Sequence, residues 1–221
     1  MAAFKAIIFD FDGLILDTET AEYRACNDLY RQYGAEMPVE VWGRFVGTDA
    51  SSFDLYAHLE ECAGAAVDRE AARAFCKARY DELIANERAR PGVEDYLRDG
   101  RRLGLKIGLA SSSSRAWVEG YLRQLGLESW FDCIRVRDDV AKVKPDPELY
   151  LKAAEALGVK PEEAVAFEDS PNGALAAKRA GLKCVIVPNE LTCRLEFGEH
   201  DLRLSSMADM PLEEVLARLS S

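Results

Sequence analysis

Histidine is nearly absent: only His58 and His200 occur in 221 residues. A histidine-based triad or a histidine-rich zinc site is therefore poorly supplied, and the polar neighbours of both residues predict a surface location. The six cysteines, Cys26, Cys62, Cys76, Cys133, Cys184 and Cys193, include no C-x-x-C pair. That speaks against a dithiol redox motif, and several lie in apolar patterns that predict buried, reduced thiols. Positive charge is also short, with 28 lysines and arginines against 39 aspartates and glutamates and a formal charge of -11. Such a balance argues against nucleic acid or an anionic membrane as a general partner. A few placed cations and a metal can still invert the local field for a small anion. No apolar run approaches the ~20 residues of a membrane span, and the start lacks a basic segment followed by a long apolar one. A cytoplasmic, monomeric protein with a small-molecule substrate is expected.

What is present is a hydrophobic fraction of 48%, ample for a buried core. The second half repeats one pattern, in which a helical stretch ends in glycine plus an apolar residue and a short β-prone run follows. It occurs at Leu103-Gly104-Leu105, Leu125-Gly126-Leu127, Leu157-Gly158-Val159 and Ala180-Gly181-Leu182. Glycine just past a helix closes its last turn, and the next apolar residue packs back on it. Strands alternating with helices imply right-handed βαβ units and a parallel sheet covered on both faces. With a first strand over 5–9, at least five strands are expected.

Residues 18–87 break this rhythm. A stripe of Tyr23, Cys26, Leu29, Tyr30 and Tyr33 stops at Gly34, and Pro38 opens a second helix carrying Trp42, Phe45 and Val46. Phe53, Tyr56, Leu59 and Cys62 suggest a third helix, and Asp68 caps a fourth with Phe75, Cys76, Tyr80, Leu83 and Ile84 on one face. Four helices between the first two strands read as an inserted helical cap over 18–87 on an α/β core of 1–17 and 88–221. The aromatic stripes are expected to be the cap's own core. Pro211 opens a last helix.

In an open α/β sheet, ligands bind beyond the carboxyl ends of the strands, so the residues after each strand outline the site. The first strand, Ala6-Ile7-Ile8-Phe9, runs into Asp10 and Asp12. "KIGLA" runs into Ser111-Ser112-Ser113-Ser114, "DCIRV" leads to Lys142-Val143-Lys144-Pro145, and "AVAF" to Glu168-Asp169-Ser170. Crowded carboxylates repel one another unless a positive group sits among them. Together with hydroxyls and a lysine, they suit a phosphoryl group beside a hard divalent cation such as Mg2+, for which Asp10 and Asp169 are natural ligands. One carboxylate would attack phosphorus and the other would move the proton. The D-x-D is no EF-hand loop, because Leu14, Ile15 and Ala21 stand where an oxygen ligand, glycine and glutamate are needed.

The segments "FDFDGLILDTE", "KIGLASSS", "VKPDPELY" and "AFEDSPNG" resemble, in order, the four motifs of the haloacid dehalogenase-like hydrolases. The likeness is greatest to the subgroup of β-phosphoglucomutase and the sugar-phosphate phosphatases. This resemblance implies a Rossmann-like core with an α-helical cap. It implies Asp10 as nucleophile, Asp12 as general acid/base, and Ser111, Ser112 and Lys144 as phosphate contacts. It further implies magnesium held by Asp10, the Asp12 backbone carbonyl and Asp169, with Glu168 as a further ligand, direct or through water. Lys144 is preferred to Lys142 because it precedes proline. Ser113 and Ser114 are expected to serve as loop and helix cap, while Asp17 and Thr18 could cap a helix, form a hinge or touch substrate.

The expected activity is magnesium-dependent hydrolysis of a small phosphorylated metabolite, with a phosphosugar mutase as the alternative. A mutase of this type has an arginine soon after a cap glycine resembling Gly47, and a histidine one turn into the cap. Here no lysine or arginine occurs between Gly47 and Arg69, and Glu22 stands in the histidine's place. Both departures favour hydrolysis, although Arg44, Lys77 or Arg79 could supply the missing charge.

Overall fold

The computed structural model describes residues 4–43, 46–47 and 54–220. Six parallel strands form one sheet in the order β3-β2-β1-β4-β5-β6, comprising β1 (Ala6–Phe9), β2 (Lys106–Ala110), β3 (Cys133–Arg135), β4 (Ala164–Glu168), β5 (Lys183–Ile186) and β6 (Leu202–Arg203). The short central strands are buried along their length because their alternate residues feed two separate apolar clusters. Ile7, Phe9, Ile107, Leu109, Val165 and Phe167 face one side, packed by helices α5 (Val93–Arg102), α6 (Arg115–Leu125) and α9 (Leu212–Leu219). Ala6, Ile8, Ala164, Ala166 and Ile186 face the other, under α7 (Glu148–Leu157) and α8 (Pro171–Arg179). The small residues on this second face let the helices lie close to the sheet.

Between β1 and β2 runs the helical insertion: α1 (Thr18–Gln32), α2 (Val39–Trp42), α3 (Leu55–Ala63), α4 (Arg69–Ile84) and then α5, which returns to pack on β2. Asp17, Asp54 and Asp68 cap α1, α3 and α4 by accepting backbone N–H bonds. Leu29, Tyr30, Met37, Leu59, Val67 and Ala72 form a core of the insertion's own, against which Tyr23, Tyr33, Trp42, Tyr56 and Phe75 pack. Most of the aromatic stripes thus form the insertion's own core, whereas Tyr80, Leu83 and Ile84 of α4 join the cluster on the first face of the sheet.

Several expectations change. The helix opened by Pro38 spans only Val39–Trp42, Val46 is buried beyond it, and Phe45 and Phe53 lie outside the described residues. The strand β6 has two residues and carries no apolar run that a sequence reading would detect. His58 is half-buried with Nδ1 2.9 Å from the Tyr30 hydroxyl, so it belongs to the cap's packing rather than to a polar surface. All six cysteines are free, but Cys62 and Cys193 are exposed and only Cys26 and Cys184 are fully buried. No helix among the described residues is long and apolar enough to cross a membrane.

Candidate active site

The strand register gathers the candidate residues. Phe9 lies opposite Phe167 on one side and Leu109 on the other, so Asp10 leaves β1 beside Glu168 at the end of β4, and one residue short of Ser111 after β2. The chain winds outward from β1 to β3 in one direction and from β4 to β6 in the other. The junction of β1 and β4 is the switch point where an open sheet leaves a crevice. The Asp10 N–H donates to the Phe167 carbonyl at 3.0 Å, extending the ladder by one bond and fixing where its side chain emerges.

Asp10, Glu168 and Asp169 are all buried and present carboxylate oxygens within 4.8 Å of one another. Lys144 is the cation among them, 1% exposed, donating to Asp10 Oδ1 and, at 2.7 Å, to Glu168 Oε1. Burial lowers the affinity of this ammonium for its proton, but Asp10 and Glu168 together outweigh that and hold it above the ordinary lysine range. Glu168 is engaged further by the Tyr150 hydroxyl at 2.5 Å and by Ser170 at 3.4 Å. Asp169 accepts from Asn189 Nδ2 at 2.9 Å. One lysine does not neutralise three carboxylates: burial, and then the neighbouring acids, push Asp10 and Asp169 well above the usual carboxylate range. A compact set of hard oxygen donors with uncompensated negative charge fits a divalent cation such as magnesium.

Asp12 sits in a different environment, two residues on and half-buried. Oδ1 accepts from the Thr18 hydroxyl at 2.8 Å and from Trp117 Nε1 at 2.8 Å. Oδ2 accepts from Ser113 Oγ at 2.6 Å and Ser111 Oγ at 3.3 Å. Gly13 makes the turn after it possible. Its φ is +81°, and a Cβ there would lie 2.2 Å from Asp169 Oδ2. The two aspartates that the sequence sets close together are therefore differently employed, one paired with lysine and the other ringed by neutral donors.

Ser111 is buried and also accepts from the Ser113 N–H at 3.0 Å. Ser112 turns its hydroxyl to the Gly47 carbonyl of the insertion at 3.0 Å. The insertion approaches the core here: Asn172 Nδ2 donates to the Val46 carbonyl at 2.9 Å, and a Cβ on Gly47 would strike Ser170 Oγ at 2.4 Å. Ser114 caps α6 by accepting from the Trp117 N–H, and Asp17 caps α1. Sequence reasoning missed Ser113 and Trp117 as neighbours of Asp12, Asn189 as partner of Asp169, and Tyr150 as partner of Glu168. It also missed Arg90, whose guanidinium donates to the carbonyls of Gly13, Val187 and Pro188 where the chain re-enters the core. Of these, Ser113 and Tyr150 lay inside stretches that the motif reading had singled out, each at the far end of its motif.

Glu19 and Glu22 of α1 add to the acidic field. Glu22 is pushed up to about 7, first by loss of water around its carboxyl and then by the Asp12 charge. Because the folded value exceeds the ordinary glutamate value of about 4.3, the stability linked to this proton is complete below about pH 4 and is lost as pH rises through about 7. Glu22→Gln is therefore expected to exceed the parent in urea midpoint at about pH 8 and to lose that advantage by about pH 5. The gain is limited by screening, since the side chain remains reachable by water. Equal midpoints at both pH values would show that Glu22 is not strained by its surroundings.

The haloacid dehalogenase-like hydrolase family model matches residues 4–181. YhcW of Bacillus subtilis, provisionally named a phosphatase, is 52% identical and covers 98% of both chains. The phosphorylated carbohydrates phosphatase of Thermotoga maritima is 31% identical over 96% of each chain. Crystal structures of CbbY from Rhodobacter sphaeroides are 31% identical: a complex with phosphate (TM-score 0.74, 99% of this chain and 100% of that one) and a mutant with xylulose-(1,5)-bisphosphate (TM-score 0.72, 93% and 96%). The chain belongs to the haloacid dehalogenase-like hydrolases, as a phosphatase with a helical insertion.

Proposed function

We propose that the protein is a magnesium-dependent phosphatase acting on a small phosphorylated sugar through an aspartyl-phosphate. The observation that carries this reading is the division between the two aspartates, Asp10 buried beside Lys144 and Asp12 ringed by hydroxyl and indole donors. Asp10 attacks phosphorus, an Asp10–phosphorus bond forms, and the ester P–O bond breaks. Asp12 gives its proton to the departing oxygen. It then takes one from the water that attacks the phosphorus, releasing inorganic phosphate and restoring Asp10. Lys144 balances the charge at Asp10, and Ser111 Oγ with the N–H groups of the serine loop receives phosphate oxygens. Ser112 contributes through its backbone, since its hydroxyl is spent on Gly47.

Asp10, the Asp12 carbonyl and Asp169 would hold the magnesium, with Glu168 behind them because both its oxygens are already bonded. When bound, the ion supplies a positive charge that offsets the negative charge on phosphate and acids. The cap, 18–87, acts as a lid tethered near Asp17-Thr18 and at Arg88 to Pro91.

Hydrolysis is favoured over phosphate migration by the state of the cap's cations. Lys77 is paired with Asp81, Arg79 with Asp28 and Glu82, and Arg69 with Asp54 and Glu60. Each of these three would have to exchange a carboxylate partner to receive the second phosphate of a bisphosphate intermediate, and Arg73 lies over the Tyr56 ring. Arg44, the other candidate, lies outside the described residues. A sugar-phosphate substrate is supported by relatives whose names specify phosphorylated carbohydrates and by the sugar bisphosphate held by CbbY.

A panel of sugar phosphates assayed for inorganic phosphate tests this reading. Phosphate release is expected with magnesium and without any bisphosphate activator, falling to background after chelation and returning when magnesium is restored. Efficient conversion of a hexose 1-phosphate to its 6-phosphate, with little free phosphate, would favour the mutase instead.

A further inference from the structure

We propose that Trp117 is a positioning residue for Asp12, linking the placement of the cap to the proton-transfer group. The proposal rests on the phosphatase reading above for its kinetic consequence, but not for its geometry. Trp117 stands in the first turn of α6 and is one of the few large apolar side chains with substantial exposure, at 36%. An indole left in solvent must be held by something if its direction is to matter. Here the ring lies tilted at 32° against Tyr80 of cap helix α4, centroids 5.6 Å apart. It meets Tyr121 of α6 edge-on at 5.0 Å and 75°. The Tyr121 hydroxyl donates to that of Tyr80 at 3.2 Å, closing the cluster across cap and core.

The polar end of this clamped ring is Nε1, which donates to Asp12 Oδ1 at 2.8 Å. An indole N–H is a donor only, so the bond has a single sense. The four bonds to Asp12 divide by origin. On Oδ1, Thr18 comes from the first residue of α1, and Trp117 is held by α4 through Tyr80. On Oδ2, Ser111 and Ser113 come from the core loop after β2. One carboxylate oxygen is therefore bonded by Thr18 and by a core indole that stacks on the cap, and the other by the core loop alone. Loss of the Tyr80 contact when α4 moves would free the indole to turn away from Asp12.

The consequence is selective. Esterified sugar hydroxyls are poor leaving groups and need the Asp12 proton as the P–O bond breaks, whereas p-nitrophenolate departs without one. Trp117→Phe keeps the ring between the two tyrosines and removes only the N–H. With magnesium present, kcat/KM for the sugar phosphate that the parent hydrolyses fastest is expected to fall about tenfold. For p-nitrophenyl phosphate it is expected to stay within about twofold. An equal fall for both esters would mark Trp117 as merely structural, and no fall for either would also overturn the proposal. A readout independent of turnover is the 15N–1H spectrum of the three indoles, Trp42, Trp117 and Trp130, in which the Trp117 signal is the one missing from Trp117→Phe. That signal is expected to move upfield in Asp12→Ala and to shift in Tyr80→Ala; its indifference to either change would overturn the link. A parent that hydrolyses neither ester would refute the phosphatase reading, and the indole signals would then decide the coupling alone.

Discussion

Replacing Asp10 with asparagine is expected to abolish turnover, by on the order of 10⁴-fold or more, while leaving the fold intact. The amide keeps the size and planarity of the carboxyl group and can still accept a bond from Lys144, so the buried pocket at the end of β1 is not emptied. What it loses is the anionic oxygen that attacks phosphorus. Neutralising this position also removes one of three crowded acids; burial, and then the neighbouring carboxylates, already hold Asp10 above the usual carboxylate range. Stability near neutral pH is therefore not expected to fall with activity. Single-turnover measurements are expected to trap a transient acyl phosphate on the parent and none on the variant. Turnover within about tenfold of the parent would sink the assignment of Asp10 as nucleophile.

How much of this was legible in the sequence follows from how local each determinant is. The strands, their parallel arrangement and the helical insertion come from patterns within a few residues of one another, such as glycine after a helix followed by a short apolar run. They appear as expected. The carboxylate cluster was legible because Asp10, Glu168 and Asp169 each stand directly after or at the end of a strand, and a parallel sheet places all such positions on one edge. Trp117, Tyr150 and Asn189 were not legible for the opposite reason. Each lies on a helix or loop well after its strand and reaches the site only through the direction its side chain takes in three dimensions, so that even Tyr150, at the end of a quoted motif, carried no sign of its bond to Glu168. The serine run shows both cases. Ser111 is given by its place after β2, whereas Ser113 reaches Asp12 because the loop turns back after the strand. His58 was misjudged by composition: the polar residues beside it in sequence are not those beside it in space, where Tyr30 covers it.

Lys144→Met is expected to be the most destabilising single change in the site, and to remove activity as well. The lysine is buried with its ammonium shared between Asp10 and Glu168, and it lies 5.1 Å from the centre of the Tyr150 ring. Methionine matches the stem but supplies no charge, so three buried carboxylates are left without their cation. Removing one member of a buried ion pair typically costs about 3–5 kcal/mol, because the remaining charges keep their desolvation penalty and lose their compensation. The pH dependence separates this cause from simple misfit. Without the ammonium, whose charge opposes the rise, Asp10 holds its proton still more tightly when folded. The stability linked to that proton is complete below about pH 4, the unfolded carboxylate range, and is lost as pH rises through the elevated folded value. The deficit of Lys144→Met against the parent should therefore be largest at about pH 8 and should shrink as the pH is lowered toward 5. A packing defect would give the same deficit at both. Millimolar magnesium should recover part of the loss at the higher pH, because a divalent ion on Asp10 and Asp169 replaces some of the missing charge. A variant with the parent's urea midpoint at about pH 8, or with phosphate release within about tenfold of it, would show that Lys144 is neither the structural counter-ion nor a working part of the site.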